Sequence, residues 1–419
     1  MVFPWLVLAV LFMAPFIDVR RPLRLLHFDL AVLVGLGLPA LYSFLSGTEL
    51  PLLELYTFAG LAYVAGRMLH AGGRPAQRPG PLIPHLPVAW LIVAVVVLLA
   101  GRVAYTLVED RYPVDVGVAS AVGADRIAAG KDLYDGGLDR AFFHGDTYGA
   151  AMYLTYVPFE QLWPLPTPLV GPDFEGPVAP RAAAMTFDLL VVAALVLLGL
   201  RLRPGRHGRE LAAALAWAWV AFPYTLLVLA WSFNDALISL LVILALASFG
   251  RPLLGSGLAG FAAAAKFAPA LLAPLLAAGD GTRSRRQVAG ALAVFALAAS
   301  LPFVPFVAGV ELSEVYDRTL GAQQGREAQN TIWVGLGDYD PLQAVCQALV
   351  GLLAVVVAFV PRRRTAVQAS ALAAGLLAAL ATTMTFWVPM YIVWLAPAAF
   401  AALLAEHVAS ERATPPAAS

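Results

Sequence analysis

Residues 86–115 read LPVAWLIVAVVVLLAGRVAYTLVEDRYPVD, and this stretch decides the fold. From 86 to 107 it carries one charge, Arg102. As a helix that run is long enough to cross a hydrocarbon core of ~30 Å. It then turns acidic at Glu109-Asp110 and opens a segment, Glu109 to Asp146, that holds 8 of the chain's 27 acidic residues. A membrane helix that delivers an acidic, structured loop to one face points to chemistry or binding there. Asp115, in Tyr112-Pro113-Val114-Asp115, is placed at its centre.

Working outward, apolar runs of this length recur along the chain. The composition is 60% hydrophobic and 13% charged, against roughly 25% charged in a soluble domain. The runs do not alternate, which excludes a β-barrel. The fold class is all-α, a polytopic integral membrane protein. Zero net charge gives no electrostatic case for nucleic acid. The single Cys346 excludes an internal disulfide and a cysteine metal site. Met1 leads into Phe3-Pro4-Trp5-Leu6 without a basic region, so no cleavable signal peptide is expected.

Arginine clusters mark the cytoplasmic side: Arg20/Arg21/Arg24, Arg67/Arg74/Arg78, Arg201/Arg203/Arg206/Arg209, Arg251, Arg283/Arg285/Arg286 and Arg362/Arg363/Arg364. About eleven spans fit between them by length: 2–17, 28–46, 51–67, 86–107, 182–200, 211–230, 233–249, 287–309, 341–360, 366–385 and 387–405. Segment 253–278 has arginines at both ends and Lys266, Pro269 and Pro274 inside. A re-entrant hairpin resolves its parity; one kinked span is the alternative. Both acid-rich loops, 108–150 and 310–340, then fall outside, with amphipathic helices expected in the first. Segment 150–168, rich in Tyr, suits an interfacial or half-inserted helix. The chain divides into three accessory N-terminal helices (1–70), a cytoplasmic linker (71–85), one membrane domain (86–405) and a disordered cytoplasmic tail (406–419).

Pro113 suits a helix start, with Asp115 at the positive end of a surface helix whose apolar stripe is Val116, Ala119 and Val122. Arg126, about three turns on, shares the Asp115 face. The plainer reading of Asp115 is a helix-terminal Asp favoured by the dipole. Intramembrane polar residues are costly and often functional: Asn234-Asp235, Asp188, Lys266 and Arg102, with Arg181 at a span end. Such cations would bind a lipid-linked phosphate and stabilise it as it leaves. The plainer readings are a salt bridge of Lys266 with Asp235 or Asp188, and interfacial snorkelling for Arg181. His144-Gly145-Asp146 lacks a third ligand at metal spacing.

Asp115, Ala128-Ala129 and Gly130-x-x-Leu133-Tyr134 together resemble the first exterior loop of GT-C superfamily membrane glycosyltransferases. The likeness is to glycosyltransferase family 87, which uses polyprenyl-phosphate sugars, and more distantly to the GPI-anchor mannosyltransferase. It continues in order through Tyr153-Leu154-Thr155-Tyr156-Val157-Pro158-Phe159, Phe187-Asp188-Leu189-Leu190, Trp231-Ser232-Phe233-Asn234-Asp235 and Ala265-Lys266-Phe267-Ala268-Pro269. Two positions depart from the family: Tyr156-Val157-Pro158 replaces a doubled proline, and Asp115-Val116-Gly117 replaces Asp-x-Asp. The second leaves no clear divalent-metal motif, and no cofactor is expected.

The resemblance implies an inverting transfer of a hexose or pentose, mannose first, from a polyprenyl-phosphate donor to a lipid or polysaccharide acceptor at the outer face of the cell membrane. Asp115 would be the general base. Arg181, Arg126, Arg102 or Lys266 would hold the donor phosphate. Asn234, Asp235, Asp188, Tyr134 and Tyr156 would give polar support. The competing reading is a transporter or flippase of a lipid-linked saccharide; the one-sided loops and the lack of a repeat favour the enzyme.

Overall fold

The computed structural model describes residues 2–47, 52–74, 86–108, 112–142, 145–166, 177–307, 310–326, 328–334 and 341–406. Most of the expected linker, His144 and the tail beyond Glu406 lie outside these residues. Among the described residues every named element is helical, and the β-type pairing is one parallel bridge between Gln329 and Phe386.

The chain begins with α1 (Val2–Met13), α2 (Leu25–Gly35), α3 (Leu38–Ser46), α4 (Leu53–Gly73) and α5 (Val88–Val108). Residues 71–73, expected in the linker, are thus the last turn of α4. The acidic loop folds as α6 (Asp115–Ala128) and the short α7 (Gly137–Ala141), followed by α8 (Ala150–Leu162). Next come α9 (Val178–Leu202), α10 (Gly205–Ala221), α11 (Pro223–Ala230), α12 (Asp235–Ala247), α13 (Pro252–Ala265), α14 (Ala273–Ala278) and α15 (Arg285–Ser300). The second loop carries α16 (Leu312–Tyr316) and α17 (Ala322–Gln324), and the chain closes with α18 (Pro341–Phe359), α19 (Ala366–Thr383) and α20 (Ile392–Glu406).

Among the described residues five helices are long and apolar enough to cross a membrane: α5, α9, α15 with its extension to Phe306, α18 and α19. A sixth is counted if α10 and α11, bent by 59°, form one broken span. This is a helical membrane protein. Among the described residues fewer than eleven segments pass: breaks shorten most of the others, as at Gly37 between α2 and α3 and at Pro223 between α10 and α11, while α4 is 21 residues long but not apolar enough. Pro223 has no N–H for the Trp219 carbonyl. Arg102 compensates, its Nη1 donating to the carbonyls of Trp219 (3.3 Å) and Val220 (2.9 Å).

Segment 252–278 doubles back. Lys266 leaves helical geometry (φ −139°, ψ 135°), and a 3-10 turn, Ala268–Leu272, leads into α14. α13 runs alongside α15 in the same direction: Gly257 faces Val294, and Gly260 faces Phe295 and Ala298. Arg283, just past α14, donates to the carbonyl of Phe249, just before α13 (2.6 Å). Both ends of the segment therefore lie at one end of the bundle. That end also gathers Arg201 on the Ala247 carbonyl (2.7 Å), Arg203 on the Ala405 carbonyl and Arg364, whose N–H donates to Asp280.

Two expectations change. α6 does not lie on a surface with one stripe down: Gly117 to Ala124 are all buried, because small residues let α8 and α9 close around it. The tyrosines of α8, expected in an interfacial or half-inserted helix, do not face outward: Tyr153 and Tyr156 are fully buried within the protein.

Candidate functional site

The site begins where α6 crosses the turn before α12. The N–H of Val114 donates to the Trp231 carbonyl (2.9 Å). Ser232 adopts a left-handed φ of 57° and presents its carbonyl to Gly117, where any Cβ would collide with that oxygen. Backbone packs on backbone here, which only glycine permits. This is the physical reason that Gly117 stands where an Asp-x-Asp pattern would place its second acid. Asn234 locks the crossing, donating to the Ser120 hydroxyl (3.0 Å) and the Val116 carbonyl (3.3 Å). Asp115 is thereby held, exposed, at the first turn of α6, with Oδ1 accepting from the Val116 N–H (2.8 Å).

Lys266 sits at the tip of the doubled-back segment. Its Nζ donates to Asp235 Oδ1 at 2.6 Å, and Trp394 Nε1 donates to the same oxygen at 2.7 Å. The rings of Tyr148, Tyr391 and Trp394 surround the ammonium at 5.5, 5.6 and 5.2 Å, within cation–π range. Asp235 is fully buried, and its Oδ2 has no hydrogen-bond partner among the described residues.

Two adjoining lobes share Tyr148, Lys266, Arg326, Phe386 and Tyr391 as their common wall. The first, of about 230 Å³, adds amides (Gln323, Gln324, Gln347) and apolar side chains including Leu320, Leu380 and Met384, but no carboxylate. The second, of about 330 Å³, adds Asp115, Asp235, Gln329 and Asn330 against Leu41, Trp231 and Phe233. One lobe thus pairs cations with apolar surface, and the other holds both carboxylates. Burial pushes the Tyr148 phenol well above its ordinary value, and the Tyr391, Asp115 and Asp235 groups add to this while Arg326 opposes it. Tyr148 is therefore a neutral hydroxyl.

The second acidic loop straps across this cavity. On one side Arg318 bonds Asp146 (2.7 Å) and Glu314 (2.9 Å), and Gln323 donates to the Thr147 carbonyl (3.2 Å). Burial pushes the Asp146 carboxyl up, outweighing the pull of Arg318 in the other direction. On the other side the Gln329 N–H donates to Thr385 and the Trp387 N–H to Gln329 (both 3.1 Å), with Asn330 bonded to the Trp387 carbonyl. Arg326 lies between the two anchors, 4.5 Å from the Phe386 ring centre.

Of the residues singled out in the sequence, Asp115, Asp235 and Lys266 meet in the cavity, and Asn234 supports them from behind. Arg102 and Asp188 do not. They form a buried pair (2.7 Å) deeper in the bundle, with Trp219 Nε1 on the same carboxylate oxygen (2.8 Å). Arg126 also lies elsewhere, because the turn after α6 draws it to the Asp132 carbonyl (2.7 Å) and Asp135 (2.8 Å). Arg181, in the first turn of α9, does not line either lobe. Tyr134 braces the loop by donating to the Tyr148 carbonyl (3.0 Å), and Tyr156 packs on Phe187. No cluster of three or more His, Cys, Asp or Glu able to hold a metal occurs among the described residues. Sequence reading missed Arg326, Tyr148, Tyr391 and Trp394. Arg326 had a signal, since it and Arg318 are the two basic residues in the acidic stretch 310–340. No protein-family model matches this chain, and no curated protein matches it.

Proposed function

We propose that this chain is a GT-C-like glycosyltransferase that moves a hexose or pentose from a polyprenyl-phosphate donor to an acceptor hydroxyl at the outer face of a cell membrane. The observation that carries the reading is one cavity in which an exposed carboxylate, Asp115, and two cations, Lys266 and Arg326, line adjoining lobes. The donor phosphate occupies the first lobe, its charge met by Lys266 and Arg326 and its lipid by the Leu320, Leu380 and Met384 side. The acceptor occupies the second. Asp115 takes the proton of the acceptor hydroxyl as the acceptor oxygen bonds to the anomeric carbon. The bond from that carbon to the phosphate oxygen breaks, and its electron pair leaves with the phosphate, where the cations stabilise it. Displacement from the opposite side inverts the anomeric centre.

In this reading eleven segments cross the membrane and 252–278 is re-entrant. The arginine-rich end faces the cytoplasm, which puts the cavity outside. The return of Arg283 to Phe249 supports that arrangement.

The test is transfer in membranes supplied with a panel of radiolabelled polyprenyl-phosphate sugars. Wild type and Asp115→Asn are compared at equal folded levels. Transfer by wild type and its fall by at least about 100-fold in the variant is expected of a lost general base. Equal transfer moves the base elsewhere. No transfer with any donor, where acceptors are known to be present, turns the reading to translocation of a lipid-linked saccharide.

A further inference from the structure

The lobe that holds Asp115 is also lined by Asp235, one of whose carboxylate oxygens no described residue satisfies. Asp235 is fully buried, Lys266 and Trp394 take its Oδ1, and Oδ2 has no partner among the described residues. A buried acceptor left unpaired is costly, and an O–H from a ligand in the lobe removes that cost. The same lobe presents the Gln329 and Asn330 amides and the aromatic rings of Phe386 and Tyr391. Carboxylates and amides meet hydroxyls, and ring faces meet apolar C–H surface. A lipid alcohol or a serine side chain offers a single hydroxyl and leaves most of these groups unused. A sugar ring offers several hydroxyls and an apolar face together.

We propose that the acceptor is itself a glycoside, with one ring hydroxyl on Asp115, another on Asp235 Oδ2, a further polar contact from Gln329, and its apolar face on the aromatic wall. This rests on the glycosyltransferase reading of the site. Gln329 is a specificity-determining position, and its side chain is open to replacement. Its backbone is pinned by the bridge to Phe386 while the residue itself is exposed.

The test uses the purified full chain in lipid nanodiscs, in two arms. Saturation-transfer NMR with methyl hexosides reads binding without a donor. Ring-proton enhancements are expected in wild type and weaker ones in Gln329→Ala; no enhancement for any hexoside overturns the proposal. The second arm supplies the active polyprenyl-phosphate sugar and compares octyl hexosides with 1-octanol and a serine peptide. Glycosylation of an octyl hexoside alone is expected. Gln329→Ala should raise the acceptor KM about tenfold, the worth of one hydrogen bond, while leaving the donor KM within about twofold. Equal use of octanol or the peptide overturns the proposal and leaves the enzyme reading intact. Hexoside binding without transfer from any donor has the opposite meaning, sustaining the sugar site and overturning the transferase.

Discussion

At the scale of single residues, Lys266 has two roles that the sequence presented as alternatives. It is paired with Asp235 at 2.6 Å, and it also lines both lobes of the cavity. A buried pair is weak evidence for stability, yet breaking it leaves one charge stranded. Lys266→Met should therefore lower stability by about 3–5 kcal/mol. The double variant Lys266→Met/Asp235→Leu should recover most of that loss while remaining inactive. Thermal unfolding of the three proteins in one detergent checks this, and a double variant no better than the single one would count against the ion pair as the cause. Gly117 makes a second prediction. Gly117→Ala sets a methyl against the Ser232 carbonyl and forces α6 away from the turn before α12. Overpacking of this kind costs about 1–3 kcal/mol, and a displacement of about 1 Å at Asp115 should reduce turnover on the order of 100-fold. Normal activity in a folded Gly117→Ala protein would show that the crossing does not position Asp115.

At the scale of elements, the strap from α16 to residue 334 is held unequally. Its far side has a backbone bridge and side-chain bonds, including Thr331 to Thr385 (3.2 Å) and Trp333 to Thr382 (3.0 Å). Its near side depends on Arg318–Asp146 and Gln323–Thr147. A charge-assisted hydrogen bond of this sort contributes about 1.5–3 kcal/mol, taken at the low end because Arg318 is a quarter exposed. Asp146→Ala should then speed amide exchange across 312–326 by about tenfold, with little change across 328–334. Uniform exchange in wild type and variant would remove the ion pair as the anchor. The doubled-back segment was legible because Arg251 and the arginines at 283–286 demanded one parity. The strap was not, because its anchors lie 172 and 57 residues apart in the chain.

At the scale of the whole molecule, the first four helices are built into the bundle. Gly72 of α4 packs on Leu372, and Gly375 of α19 packs on Leu69, so small residues let the two helices approach closely. Tyr224 Oη donates to the Val34 carbonyl (2.7 Å) and accepts from the Gly37 N–H (2.9 Å). Leu41 of α3 lines the lobe of Asp115. A chain beginning at residue 86 should fail to accumulate folded in membranes, and its recovery at wild-type levels would show that the helices are dispensable. Orientation is tested with single cysteines on a Cys346→Ala background. An impermeant thiol reagent should label Gln329→Cys in intact cells and Arg251→Cys only after lysis.

Hydropathy is a local property, and so are arginine placement and the proline breaks. These were enough to give the helical membrane class and a helix beginning near Asp115, and to narrow 253–278 to a turn-back or one kinked span. Which charges face one another is not local. Arg102, Arg126 and Lys266 were equal candidates for the donor phosphate in the sequence, yet Arg102 is drawn to Asp188, Arg126 to its own turn, and Lys266 alone of the three to the cavity. Each choice depends on which carboxylate or carbonyl the packing of distant helices brings within about 3 Å. Arg326 became part of the site only through the strap. The tertiary structure decided the membership of the site because burial and pairing across the bundle set where a charge is stable, and no window of sequence contains both partners.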